Sequence, residues 1–135
     1  MGKFLLLFAF ISSVAFGLGS HVNGKLQIFS AQSMAASANT AGVDISNFDN
    51  VSVQAKWTGT NGTLTLKIQG SNTLTSCTDA ANTWTDQSGT SQAIASDGDF
   101  MWNLVGQGYR CLRLVYVKGT TTAGTLNAVL NGKGM

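Results

Sequence analysis

Residues 51–69 read VSVQAKWTGTNGTLTLKIQ, and their alternation decides the fold class. Val51, Val53, Ala55 and Trp57 share one parity, and Leu64, Leu66 and Ile68 share one parity of the next run. The intervening positions hold Ser52, Gln54 and Lys56 in the first run and Thr63, Thr65, Lys67 and Gln69 in the second. Successive side chains of a strand point to opposite faces, so each run presents one apolar face and one wet face, as in an antiparallel sheet with one side in solvent. Thr60-Asn61-Gly62 lies between the runs, and Asn-Gly supplies the positive φ angles of a tight turn. The two runs are therefore predicted to pair as a hairpin.

The same period of two continues on both sides. Upstream, Leu26 and Ile28 open the domain, the small-residue segment 31–40 fits either a strand edge or a loose connection, and Val43 and Ile45 alternate with polar neighbours. Downstream, a polar loop over 70–82 leads to Trp84, then Ala93 and Ile94, and Phe100, Trp102 and Leu104 alternate after the turn Asp97-Gly98-Asp99. The longest β-rich run, 109–117, carries Leu112, Leu114 and Tyr116 on one side and Cys111, Arg113, Val115 and Val117 on the other. Apolar residues on both faces mark a central strand covered on both sides, or one that faces a partner. Leu126, Ala128 and Leu130 close the chain, in a strand that is expected beside an early one. About eight such runs predict an all-β fold, an antiparallel β-sandwich or jelly roll.

Composition agrees. Charged residues make up 10% of the chain and there is no glutamate, which disfavours long helices and favours strands joined by turns. The net charge is +2 and the Lys and Arg residues are scattered, so nucleic acid is not an expected partner. The chain has no proline, a common device against edge pairing, so lateral association is expected of its outer strands.

Met1-Gly2-Lys3, the apolar stretch from Phe4 to Phe16 and the small residues of Ala15-Phe16-Gly17 form the pattern of a cleavable leader. The expected division is a signal peptide over 1–19 and a single β-sandwich domain over 20–135. The apolar stretch is shorter than the roughly 20 residues that span a bilayer, so no membrane span is expected after the leader is removed. Cys77 and Cys111 are an even pair in an oxidising destination, and a disulfide between them is predicted; two separate thiols are the alternative.

From Asp44 onward the order of features resembles a family of small β-sandwich (jelly-roll-like) proteins of bacteriophage structural and secreted bacterial type. The residues that carry the resemblance are Val53 to Thr60, Leu66 to Asn72, Trp84 to Gly89, Phe100 to Leu104, Gly108-Tyr109-Arg110, Leu112 to Tyr116 and Gly124 to Ala128. Ser71-Asn72, Trp84-Thr85 and Arg110-x-x-Arg113-Leu114 are also similar, more loosely, to the signposts of discoidin-type domains, which bind sugars or lipid head groups. The chain departs from the pattern by the insertion 73–82, which contains Cys77. The resemblance thus implies a fold and an exported or virion setting, and no binding residue.

Catalytic chemistry finds little material. His21 lies beside the expected cleavage point, and the carboxylates, Asp44, Asp49, Asp79, Asp86, Asp97 and Asp99, sit mostly in turn-forming company. No nucleophile elbow or phosphate loop is present. Asp97-Gly98-Asp99 offers two oxygen ligands where Ca²⁺ takes six to eight, so it reads as a turn; no metal or other cofactor is expected.

Trp57 and Trp102 lie on apolar faces and belong to the core. Trp84 either plugs the end of the core or, with Tyr109 and Asn72, forms a platform on which a sugar ring stacks. Arg110 and Arg113 point to opposite faces, and Arg113 is expected to pair with an aspartate. Asn50-Val51-Ser52 and Asn61-Gly62-Thr63 fit the glycosylation pattern.

The expectation is a non-enzymatic structural or surface protein, exported (periplasmic, extracellular or cell-surface) or on a virion surface. It would self-associate, meet other surface or virion proteins, or present binding loops. The alternative is a monomeric carbohydrate-binding module for adhesion, with a glycan ligand.

Overall fold

The computed structural model describes residues 23–134, and every regular element in that span is a strand. In chain order these are β1 (Asn23–Ser33), β2 (Ala38–Asn39), β3 (Val43–Asp44), β4 (Asn50–Thr58), β5 (Leu64–Ser71), β6 (Thr85–Asp86), β7 (Gln92–Ile94), β8 (Gly98–Val105), β9 (Cys111–Lys118) and β10 (Thr125–Lys133). The expected leader over 1–19, and His21, lie outside the described residues.

β1, β10, β4 and β8 form one sheet in that order. The second sheet is built on β9 and β5, with β2 and β3 beside β9 and β6 and β7 beside β5. All pairings are antiparallel, so the fold is the expected β-sandwich. The closing strand does lie beside an early one, since β10 pairs with both β1 and β4.

The layers meet in one apolar core. β4 contributes Val51, Val53, Ala55 and Trp57, and β10 contributes Leu126, Ala128 and Leu130. From the other sheet, β5 supplies Leu64, Leu66 and Ile68, and β9 supplies Leu112, Leu114 and Tyr116. Burying each large aliphatic side chain contributes about 1.5–3 kcal/mol, and the period of two is what puts them all on one side. Each core tryptophan keeps its polar edge satisfied: Trp57 Nε1 donates to the Ser96 carbonyl and Trp102 Nε1 to the Thr90 carbonyl, both at 2.7 Å. Tyr116, fully buried, donates from its hydroxyl to the Met34 carbonyl at 2.7 Å. That bond helps to hold the small-residue segment, whose first residues extend β1 and whose later ones form β2.

The predicted hairpin is corrected. β4 and β5 lie in different sheets, and the connection over 59–63 crosses from one layer to the other. Alternation makes both strands amphipathic, and two such strands satisfy it equally well side by side or face to face across a core. The turn chemistry is different too: the positive φ falls at Gly59 (73°), not at Asn61 or Gly62.

Asn61 works through its side chain instead. Its Oδ1 accepts from Thr122 N at 2.8 Å, Ala123 N at 3.1 Å and the Thr121 hydroxyl at 3.1 Å, and its Nδ2 donates to the Thr122 hydroxyl. On the other flank, Asp97 accepts from Gly59 N and Thr60 N, both at 2.8 Å, and from the Thr60 hydroxyl at 2.6 Å. The crossing is therefore clamped from both sides by residues distant in sequence.

Leu66→Ala is expected to lower unfolding free energy by about 2–5 kcal/mol through the cavity it leaves. Asn61→Ala is expected to lower it by about 1–3 kcal/mol, because three donors lose their acceptor. Gln54→Ala, on the wet face of β4, should stay within about 0.5 kcal/mol. Urea titration of the three variants checks the order.

Candidate functional site

The residues singled out as a platform gather at one end of the second sheet. β5 ends at Ser71, and the insertion 73–82 folds back until Cys77 reaches Cys111 at the start of β9. The predicted disulfide is present, with Cα atoms 5.5 Å apart and 34 residues between the partners in sequence. Gly42 lies under the insertion, where any Cβ would collide with the Cys77 carbonyl and the Trp84 ring, so this close approach requires glycine. Leu74 projects from the insertion almost wholly exposed.

Asn72 and Tyr109 share a shallow hollow of about 290 Å³, whose wall includes Gly70, Gln87 and Gly108. The polar atoms of Asn72 are turned to internal use. Asn72 Oδ1 accepts from Arg110 N at 2.9 Å and Nδ2 donates to the Gly108 carbonyl at 3.3 Å, which ties the 106–110 turn to β5. The Tyr109 ring packs against Gly70, and its hydroxyl is buried with no hydrogen-bond partner among the described residues. Burial pushes its pKa up to about 12.

Trp84 is half-buried outside this hollow's wall and outside the core, so the core-plug reading does not hold. Its ring carries the Arg113 guanidinium 4.5 Å from its centroid, a cation–π stack on the outer face of the second sheet. Arg113 was expected to pair with an aspartate, and this is corrected as well. Its Nε donates to Gln69 Oε1 at 2.7 Å. The nearby carboxylate, Asp86, accepts instead from Lys67 Nζ at 2.7 Å and from Gln69 Nε2 at 2.6 Å. Cross-strand register explains the exchange, because Gln69 stands between Arg113 on β9 and Asp86 on β6 and serves both. Partial burial lowers the Arg113 pKa, and the charge of Asp86 opposes that shift. These polar partners, together with Cys111 and buried Val115, cover most of the outer face of β9; Val117 remains partly open.

The remaining ionisable groups also serve the scaffold. Arg110 binds Asp44 through Nε and NH2, each 2.9 Å from Oδ2. Three carboxyls are held below the ordinary value of 3.8: Asp44 by the hydroxyl and N–H of Ser46 and then by Arg110, Asp86 by Lys67 and Gln69, and Asp97 by the Thr60 hydroxyl and the N–H groups of Gly59 and Thr60. Both oxygens of Asp97 thus face donors, which is the wrong arrangement for a calcium ligand. Among the described residues no three His, Cys, Asp or Glu side chains cluster as metal ligands. Asp97 and Asn61 are scaffold anchors whose role the sequence did not reveal, since their partners lie 37 or more residues away.

The fold and this end of the molecule define a two-sheet antiparallel sandwich with a cross-linked loop crown. No protein-family model and no curated protein matches the chain. Among solved structures the chain is similar to the SPBc2 prophage-derived protein YomS, at 12% identity over 87% of this chain and 100% of that one, with a TM-score of 0.55. That likeness shows a shared fold. Weaker likenesses, to PirA (13% identity, 88% of this chain and 99% of that one, TM-score 0.42) and to the coat protein of Tobacco streak virus (8% identity, 90% and 91%, TM-score 0.44), carry no argument.

Replacing both cysteines by alanine is expected to lower unfolding free energy by up to about 4 kcal/mol, from the chain entropy of a loop of this length. An unchanged guanidinium midpoint would refute this. The acid response has a definite sign: with folded values below 3.8, the three carboxyls stabilise fully above the ordinary carboxylate range, and that stabilisation is lost as pH falls through their lowered values. The denaturant midpoint should be level from about pH 7 to 5 and drop below about pH 4, with Asp97→Asn weakening the drop.

Proposed function

We propose that this protein is a non-enzymatic structural or surface component, exported or virion-associated, that works by self-association and presents its loop crown outward. The observation that carries this reading is the use made of its polar side chains. Asp44, Asp86, Asp97, Asn61, Asn72, Arg110 and Arg113 all bind partners within the chain, and a disulfide pins the longest insertion. Such a molecule is a rigid body whose chemistry is spent on shape. The disulfide suits an oxidising destination, and the sandwich shared with a prophage-derived protein supports the virion setting. The leader over 1–19 belongs to the same reading and would be removed on export.

A sugar-binding role is the second reading, resting on Asn72 and Tyr109 lining one hollow beside Trp84. It has less support, because Arg113 already occupies the Trp84 ring and the Asn72 amide is committed to the backbone. Size-exclusion chromatography with light scattering on residues 20–135 is expected to show an oligomer; a monomer at every concentration would remove the assembly reading. A glycan array is expected to stay blank, and a signal lost in Trp84→Ala would establish the sugar reading in its place.

A further inference from the structure

We propose that the free edge of β8 pairs antiparallel with β8 of a second copy of this chain, joining two four-stranded sheets into one of eight strands. This rests on the assembly reading above and specifies the surface that would carry it.

The strand edges are treated very unequally. On the far side of the first sheet, β1 is interrupted twice in its register with β10, between Gln27 and Phe29 and between Phe29 and Gln32, and Ala31 adopts a left-handed φ of 47°. Bulges and an exposed Lys25 are devices that keep such an edge from pairing. The second sheet ends in strands of two or three residues, β2, β3, β6 and β7, too short to template a neighbour.

β8 has none of these protections. It runs eight residues in unbroken register with β4, from Val105 opposite Asn50 to Gly98 opposite Trp57. No lysine, proline or bulge interrupts it. Among the described residues β4 is its only strand neighbour, and no turn or loop backbone bonds to residues 98–105. No described strand pairs its other edge.

Its side chains are those of a covered surface. Phe100, Met101 and Val105 are 36%, 52% and 73% exposed, three of the six large exposed hydrophobic residues among the described residues. Phe100 lies edge-on to Trp102, with centroids 4.9 Å apart, so an aromatic pair sits at the rim of the core.

The occupant is a second β8 because the strand is complementary to itself. Directly opposed residues of an antiparallel pair point to the same face. Centring the two-fold axis on Met101 places Met101 against its own copy and Phe100 opposite Trp102. It also places the Asp99 carboxylate opposite the Asn103 amide, a donor, and keeps the strand's one charge away from its duplicate. The described residues of each chain offer one such edge, and the two-fold pairing consumes both, so association through it closes at a dimer.

The test combines light scattering with Met101→Lys, an outward and half-exposed position where lysine leaves the core intact but meets its own copy across the axis. The expected result is a dimer for the unaltered chain and a monomer for Met101→Lys at the same concentration, with matching circular dichroism, while Gln27→Lys on β1 stays dimeric. An unaltered chain that oligomerises and is indifferent to Met101→Lys would overturn this inference and leave the assembly reading standing. A monomeric unaltered chain would overturn both. Should Met101→Lys misfold, hydrogen exchange of the unaltered chain decides: amides of 98–105 must gain protection with rising concentration, and a concentration-independent pattern refutes the pairing.

Discussion

The apolar surface shared by β4 and β10 on one side and β5 and β9 on the other is the contact on which the rest of this molecule depends. Small residues of the first sheet, Val53, Ala55 and Ala128, share one cluster with Leu66, Leu114 and Tyr116 of the second, and burial is nearly complete on both sides. Side chains of alternating strands supply that surface without a helix. Closing it requires the chain to pass between layers, and each passage leaves backbone groups that no sheet can pair.

Those passages are where the polar residues are spent. Asn61 and Asp97 clamp the crossing from β4 to β5, Asn72 holds the turn before β9, and Thr40 accepts from Leu114 N at 3.0 Å beside β2. The insertion 73–82 has few apolar residues of its own, and the disulfide to Cys111 substitutes for the packing it lacks. The loops of this sandwich are thus held largely by side-chain hydrogen bonds and one disulfide. The outer edge of β8, which no other described strand pairs, is the exception and is the surface assigned to the proposed pairing.

The extent to which the site was legible follows the distance over which its contacts act. The cross-link was readable from an even pair of cysteines in an oxidising destination. The Arg113 environment was not, because its ring partner Trp84 and its acceptor Gln69 reach it only when β5 and β9 lie in register. Nothing in the local sequence of Asp97 distinguishes a turn residue from the acceptor of three bonds at Gly59 and Thr60.

By itself the sequence determined which residues of β4, β5, β9 and β10 face inward, that the class is all-β, and that the run 109–117 is either central or faces a partner. These follow from a side-chain period of two and from burial on one or both faces, properties each segment carries alone. Only the tertiary structure decided which sheet each strand joins. β4 and β5 have the pattern of a hairpin and an Asn-Gly between them, yet they face each other across the core, because alternation records the direction of the interior and not the identity of the neighbour.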